Sequence, residues 1–130
     1  MSKTRVLVVD DDPNLSRLAA MILESTGTYE VMVVNQSKAA LAAARQFQPA
    51  LMLLDVDMPE KSGGDIAREA ATDVALRNIP VLFLTGLVSR DEAGASVYES
   101  GGMRFLSKPV EPALLLSSVA GLVAARALAA

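Results

Sequence analysis

The stretch VLVVDDDP, residues 6–13, runs from four aliphatic residues into three consecutive carboxylates and a proline. An uninterrupted aliphatic run of this kind is typical of a strand buried on both faces of a parallel sheet. Aspartate followed by proline, here Asp12 and Pro13, is typical of a helix start, because aspartate caps the first turn and proline fits the first helical position. The stretch therefore predicts a buried strand that leads directly into a helix, with Asp10 and Asp11 at the junction.

Strand and helix patterns alternate along the rest of the chain. The candidate strands are residues 5–10, 29–34, 50–55, 79–85 and 103–106. The candidate helices are residues 13–25, 37–47, 64–74, 90–100 and 112–128, the second of them beginning with Ser37 as a cap. A strand–helix unit repeated five times predicts an α/β fold, with a parallel sheet, right-handed crossovers and helices on both faces. We expect residues 1–130 to form a single domain.

Composition excludes several kinds of chemistry. The chain has no cysteine and no histidine, which removes thiolate and imidazole nucleophiles and the usual zinc ligands. A net charge of −3 without a basic stripe argues against direct binding of nucleic acid. The N-terminus lacks the apolar segment of a secretory signal, and the apolar C-terminal stretch contains too many small and polar residues for a membrane span. We therefore expect a cytoplasmic protein that does not bind a membrane and that uses carboxylates, hydroxyls and amines.

Polar side chains end three of the predicted strands and follow another. Asp10, Asp55 and Thr85 end the first, third and fourth strands, and Lys108 follows the fifth. Since the carboxyl ends of parallel strands share one edge of the sheet, where ligands bind, we expect these side chains to converge. Each residue alone also fits an ordinary role, as a turn acid, a strand threonine or a surface lysine. Their combination favours a functional site.

The converging carboxylates indicate a metal site and a nucleophile. Like charges a few ångströms apart raise one another's pKa, and a hard cation such as Mg²⁺, which takes oxygen ligands, relieves this cost. We expect Asp10, Asp11 and Asp55 to bind Mg²⁺. A carboxylate can also attack phosphorus, which would make Asp55 a phosphoacceptor, with Thr85 donating to a phosphoryl oxygen and Lys108 neutralising its charge.

This set of residues resembles the site of the receiver domain of bacterial two-component response regulators, such as the chemotaxis regulator. The resemblance covers essentially the whole chain and includes Met58-Pro59 and Gly63 after the acceptor position. It implies a flavodoxin-like (βα)5 fold, that is, a doubly wound five-stranded parallel sheet with strand order 2-1-3-4-5. It also implies that the family's acidic pair is Asp10 and Asp11, its phosphoacceptor Asp55, its switch hydroxyl Thr85 and its lysine Lys108.

Further roles follow from the resemblance alone. Asp57 would offer Mg²⁺ its backbone carbonyl oxygen, and Phe105 would be the switch aromatic whose ring turns inward on activation. A partner sensor histidine kinase or phosphotransfer protein would supply the phosphoryl group, and the switch would control a downstream effector or an output domain. The domain would catalyse only its own phosphorylation and dephosphorylation, and Asp57 and Leu87 occupy positions where the family tunes hydrolysis. Whether the Lys108–Pro109 peptide bond is cis stays open.

Two other functions remain open. A haloacid-dehalogenase-type phosphatase also uses an aspartate nucleophile and Mg²⁺, and Asp55-Val56-Asp57 matches its D-x-D core. Against this, that family has its acidic pair late in the chain and a threonine or valine where Pro59 stands. A pseudo-receiver would keep the fold as a binding module without phosphorylation, and the complete set of site residues disfavours it.

The last predicted helix is unusually apolar. From Pro112 to Ala125 it carries no charge, and its large aliphatic residues exceed the roughly 100° stripe that one buried face needs. These residues are Leu114, Leu115, Leu116, Leu122, Val123 and Leu128. We expect an exposed patch that mediates homodimer formation or kinase docking through the fourth and fifth helices and the strand between them.

Overall fold

The sheet and its covering helices are described by a computed structural model, which covers residues 3–86, 97–100 and 103–129. The strands are β1 (Thr4–Val9), β2 (Tyr29–Val34), β3 (Leu51–Asp55), β4 (Val81–Thr85), β5 (Val97–Ser100) and β6 (Met103–Ser107). The helices are α1 (Pro13–Glu24), α2 (Ala40–Phe47, preceded by a 3-10 turn at Ser37–Ala39), α3 (Gly63–Ala71) and α4 (Pro112–Ala129). Among the described residues, no helix combines the length and apolar character that crossing a bilayer requires.

Five strands run parallel in the order β2-β1-β3-β4-β6, and β5 pairs antiparallel with β6 at the side of the sheet. With β6 as the fifth parallel strand, this is the predicted 2-1-3-4-5 order, so the flavodoxin-like α/β fold class is confirmed. The register sets Val9 opposite both Val34 and Leu54, and Asp55 opposite Leu84. The carboxyl ends of β1, β3 and β4 therefore lie side by side.

The helix predicted for residues 90–100 is wrong at its end, because Val97–Ser100 forms β5. Tyr98 pairs with Phe105 of β6, in an antiparallel ladder. Valine and tyrosine favour strands, which fits this pairing. The rest of the predicted helix and the predicted tuning residue Leu87 lie outside the described residues.

The aliphatic run of β1 is buried on both faces of the sheet. Val6 and Val8 pack in a cluster with residues of α1 and α4, whereas Leu7 and Val9 pack in a second cluster with residues of α2 and α3. All four side chains are fully or almost fully buried. Burying one such side chain contributes about 1.5–3 kcal/mol, so the run anchors β1 in the core.

Side chains cap the starts of α1 and α3, and one predicted cap is wrong. Asp12 Oδ1 accepts hydrogen bonds from two backbone N–H groups in the first turn of α1, which confirms it as a cap. Ser37 does not cap α2, because its hydroxyl donates to the carbonyl oxygen of Pro59 at 3.0 Å. The start of α3 is closed by a reciprocal capping box between Ser62 and Asp65.

Most of the large aliphatic residues of α4 pack onto the sheet. Leu115 is buried, and the half-buried residues against the first cluster are Leu114, Leu116, Leu122 and Val123. Leu128, near the end of the helix, is 88% exposed. Self-association or docking through this helix therefore stays a prediction, with a smaller aliphatic patch than the sequence alone suggests.

Candidate functional site

Three carboxylates meet where β1 and β3 end. Asp10 follows β1 and is fully buried, Asp55 ends β3 with 2% of its surface exposed, and Asp11 is exposed beside them. One oxygen from each carboxylate lies within 4.8 Å of the others. The structure therefore brings together the three acidic residues that the sequence predicts as a cluster.

Lys108 places an ammonium group against this acidic cluster. Its Nζ donates a hydrogen bond to Asp55 Oδ1 at 2.9 Å and lies 3.7 Å from Asp10 Oδ2. The backbone N–H of Lys108 donates to the carbonyl oxygen of Thr85 at 2.9 Å, which ties the segment after β6 to the end of β4. The lysine therefore reaches the carboxylates across the end of β4. The Lys108–Pro109 peptide bond is cis.

Burial and charge both shape the electrostatics of the site. The pKa of Asp10 is raised to about 6, chiefly by burial; the hydrogen bond from the backbone N–H of Asp12 lowers it, and the charge of Asp55 raises it. Burial lowers the pKa of Lys108, but the hydrogen bond to Asp55 and the charges of the acids outweigh it, so the net pKa is raised. The lysine therefore stays protonated, and its single charge faces three acidic groups.

The cluster fits a hard divalent cation. Among the described residues, Asp10 Oδ2 is a buried acceptor without a hydrogen-bond partner. Asp10, Asp11 and Asp55 all offer oxygen ligands, and the chain has neither histidine nor cysteine. Such a donor set suits Mg²⁺, which takes carboxylate and carbonyl oxygens, and does not suit zinc.

The turn after β3 carries Asp57 and is packed against the strand. The backbone N–H of Asp57 donates to Asp55 Oδ1 at 3.4 Å, and its side chain is exposed. At the start of α3, the N–H of Gly63 donates to the carbonyl oxygen of Val56 at 3.2 Å. A Cβ on Gly63 would clash with the backbone carbonyl of Asp55, so the close approach of α3 to the strand end requires glycine here.

Thr85 and Phe105, the predicted switch residues, lie on adjacent strands. Thr85 ends β4, is buried, and pairs with Ser107, two residues after Phe105. The ring of Phe105 is half-buried and stacks on Phe83 with the ring centroids 5.1 Å apart. Because side chains alternate along a strand, Thr85 and Phe105 share one face of the sheet, as the predicted coupling requires.

Asn35, which follows β2, was not predicted to belong to the site. Its Nδ2 group donates to the carbonyl oxygen of Asp10 at 2.8 Å and to Ser16 Oγ at 2.9 Å. Asparagine after a strand is common in turns, so the residue type alone carries little signal. Its partners follow from the pairing of β1 with β2, which a sequence pattern does not specify.

Residues 6–120 match the family described as the response regulator receiver domain, and the chain belongs to this family. The family serves phosphorelay signalling in two-component systems and is not a family of turnover enzymes. The phosphatase alternative therefore loses its support.

Two similar response regulators are much longer than this chain. It is 32% identical to the DNA-binding response regulator MtrA of Mycolicibacterium smegmatis over 117 residues, 90% of this chain and 49% of MtrA. It is 36% identical to the response regulator PleD of Caulobacter vibrioides over 119 residues, 91% of this chain and 26% of PleD. The chain thus spans about half the length of MtrA and about a quarter of PleD.

Among solved structures, the chain is similar to a CheY-like response regulator receiver domain protein from Methanospirillum hungatei. The TM-score is 0.82 at 25% identity, and the match covers 99% of this chain and 100% of that chain. The similarity over both whole chains supports the same topology.

Proposed function

We propose that this domain accepts a phosphoryl group on Asp55 from the phosphohistidine of a sensor histidine kinase or a phosphotransfer protein. A carboxylate oxygen of Asp55 forms a bond to phosphorus, the bond between phosphorus and the histidine nitrogen breaks, and the imidazole leaves with that electron pair. The observation that carries the proposal is the position of Asp55, a buried strand-end carboxylate beside two further acids and 2.9 Å from the Lys108 ammonium group.

The contacts of Asp55 support one of its two oxygens as the nucleophile. Oδ1 accepts hydrogen bonds from Lys108 Nζ at 2.9 Å and from the backbone N–H of Asp57 at 3.4 Å. These bonds hold the carboxylate through Oδ1, so we assign Oδ2 as the nucleophile. Holding the reacting group in one orientation lowers the entropic part of the barrier.

Charge compensation is the second requirement of the reaction. Phosphoryl transfer spreads negative charge over the transferring oxygens, here in a site that already contains three carboxylates. Lys108 supplies one positive charge. Bound by Asp10, Asp11, Asp55 and the backbone carbonyl oxygen of Asp57, Mg²⁺ would supply the remaining compensation. Phosphorylation should therefore depend on a divalent cation.

Thr85 and Phe105 would transmit the modification to the rest of the fold. The Thr85 hydroxyl would donate to a phosphoryl oxygen on Asp55, and the space that it leaves would admit the Phe105 ring. A two-state element biased by one group is sufficient for such coupling. The changed surface would then control a downstream effector or an output domain, with α4 and its exposed Leu128 as the surface for docking or homodimer formation.

Intact-mass measurement and amide NMR of the wild type and Thr85→Ala, each incubated with acetyl phosphate and Mg²⁺, test this function. In the wild type we expect added mass and shifted backbone amide signals around Phe105. Thr85→Ala should take up the phosphoryl group without that shift. A pseudo-receiver would show neither added mass nor a shift, and a wild-type shift in Thr85→Ala would contradict the role of its hydroxyl.

A further inference from the structure

Asn35 joins the ends of β1 and β2 to helix α1. Its Nδ2 group donates to the carbonyl oxygen of Asp10 at 2.8 Å and to Ser16 Oγ at 2.9 Å. Ser16 is 1% exposed, and its hydroxyl donates onward to the carbonyl oxygen of Pro13 at 3.1 Å. A continuous chain of hydrogen bonds therefore runs from the first turn of α1 to the backbone of the acidic pair.

The hydrogen bond from Asn35 orients the peptide unit between Asp10 and Asp11. On the other side of Asp10, the backbone N–H donates to the carbonyl oxygen of Val34 at 3.1 Å. The peptide units before and after Asp10 are thus both held from β2 and the residue that follows it. Because a peptide unit is planar, the direction of the Asp10 carbonyl also sets the position of the Asp11 Cα atom.

The two members of the acidic pair are held in different ways. Asp10 Oδ1 accepts a hydrogen bond from the backbone N–H of Asp12 at 2.9 Å, and the side chain is fully buried. Within residues 3–86, 97–100 and 103–129, no hydrogen bond to the exposed Asp11 carboxylate is found. The position of Asp11 therefore depends on its backbone. If that backbone were free, a cation would have to order it on binding, which costs free energy.

We infer that Asn35 is a positioning residue for the metal half of the site, because its hydrogen bonds keep the Asp11 carboxylate beside Asp10 and Asp55. This inference rests on the proposed function, since it requires the cluster to bind Mg²⁺. Removing a group that orients metal ligands typically weakens metal binding by about 10–100-fold. Asn35 acts through the backbone and is itself exposed, so we expect about tenfold, the lower end of that range.

The test is the Mg²⁺ dissociation constant of the domain, measured by calorimetry for the wild type, Asn35→Ala and Asn78→Ala. Asn78 is an exposed asparagine shortly before β4, at the opposite end of the sheet, and serves as the matched control. We expect the constant to rise about tenfold in Asn35→Ala and to stay unchanged in Asn78→Ala. Thermal unfolding of each variant without Mg²⁺ checks that the fold is retained.

A second measurement separates positioning from a general loss of activity. With acetyl phosphate as donor, Asn35→Ala should need more Mg²⁺ for half-maximal labelling, while its labelling rate at saturating Mg²⁺ stays near that of the wild type. Ser16→Ala should weaken Mg²⁺ binding less than Asn35→Ala, and it should add little to the effect of Asn35→Ala in the double variant. Additive effects of the two substitutions would contradict a shared hydrogen-bond chain.

The wild-type arm distinguishes the two ways in which the experiment can fail. If the wild type binds Mg²⁺ and Asn35→Ala binds it equally well, the role of Asn35 is wrong and the proposed function stands. If Asn35→Ala lowers the saturated labelling rate without changing the Mg²⁺ requirement, the role is also wrong. If the wild type binds no Mg²⁺, both the role of Asn35 and the magnesium-dependent function are wrong.

Discussion

At the residue scale, Asp55 is held from two directions. Lys108 Nζ and the backbone N–H of Asp57 fix its side chain through Oδ1. The start of α3 packs against its backbone, where a Cβ on Gly63 would clash with the Asp55 carbonyl. The carboxylate that we propose as nucleophile therefore depends on contacts to its side chain and to its main chain.

Gly63→Ala should destabilise the domain. The added Cβ clashes with backbone, which cannot move as a flexible side chain could, so we expect a loss of about 1–3 kcal/mol. Gly121→Ala is the matched control: it lies inside α4, its Cβ would meet nothing within 4 Å, and alanine in a helix should stabilise by about 0.5–1 kcal/mol. Urea unfolding measures both. Similar effects of the two substitutions would contradict the close approach at Gly63.

Lys108→Ala should separate metal binding from activation. The variant loses the ammonium group 2.9 Å from Asp55 but keeps all three carboxylates, so we expect Mg²⁺ binding to stay largely intact. The conformational response to phosphorylation should be impaired, because the charge of the phosphoryl group lacks one counter-charge. Calorimetry and amide NMR measure the two properties, with Lys3→Ala, just before β1, as control. A wild-type NMR response in Lys108→Ala would argue against its role.

At the scale of elements, burial explains which predictions succeeded. β1, β3 and β4 are aliphatic runs covered on both faces, and such runs are recognisable without knowledge of their neighbours. β5 depends on pairing with β6, and the two strand-favouring residues Val97 and Tyr98 are too short a run to predict a strand before that pairing is known. The regular alternation of strands and helices along the sequence predicted a helix there instead.

Helix caps also show that a sequence pattern reveals local contacts but not contacts between distant segments. Asp12 before Pro13 was recognisable because both partners are local. The capping box of Ser62 and Asp65 is equally local, and Ser62 lies just before residue 64, where the sequence pattern predicts that the helix begins. Ser37 bonds instead to Pro59, and such a contact between distant segments has no local signature.

One ion pair between elements should give the domain part of its acid sensitivity. Arg45 of α2 donates to Asp73, after α3, at 2.7 Å. This hydrogen bond, together with that from the backbone N–H of Ala75, lowers the pKa of Asp73 from its ordinary value of 3.8. Because the folded-state pKa is the lower one, the stabilisation is present above the unfolded-state pKa and is lost as pH falls through the folded-state pKa.

Asp73→Asn should therefore reduce stability at neutral pH and reduce the loss of stability on acidification below about pH 4. Denaturant unfolding at a series of pH values measures this. Glu24→Gln, which removes an exposed acid at the end of α1, is the control for the loss of one negative charge. A profile for Asp73→Asn that parallels the wild type would show that the pair does not contribute.

The end of α4 is the element where we expect an interface. Leu128 is 88% exposed on α4, and Val74, after α3, is 80% exposed on another part of the surface. Leu128→Glu should weaken homodimer formation or kinase binding by about tenfold, as expected for a moderate interface contact, whereas Val74→Glu should not. Sedimentation velocity and kinase-binding titrations measure the two. Equal behaviour of both variants would place the interface elsewhere.

At the scale of the whole molecule, parallel topology made the site predictable. The strand order brings Asp10, Asp55 and Lys108 together from distant parts of the chain, and this convergence needs no knowledge of individual distances. The supporting contacts of Asn35 and Gly63 were not predictable as such, because they depend on how strand ends and helix starts approach in space. The sequence pattern thus predicts the candidate reacting groups, and packing determines how they are held.

The domain corresponds to only part of the length of MtrA and of PleD. It matches 49% of MtrA and 26% of PleD, and the name of MtrA describes that protein as DNA-binding. We propose that the phosphoryl group on Asp55 is the signal and that an output domain or a separate effector reads it. The account therefore depends first on whether Asp55 is phosphorylated.

The most direct test is the intact mass of the domain after incubation with acetyl phosphate. With Mg²⁺, the wild type should gain the mass of one phosphoryl group, and hydroxylamine should remove it, as expected of an acyl phosphate. Excess EDTA should prevent the gain, and Asp55→Asn, which keeps the size of the side chain but lacks the nucleophile, should show none. Undiminished labelling of Asp55→Asn, or of the wild type in EDTA, would contradict the assignment of Asp55 as a magnesium-dependent phosphoacceptor.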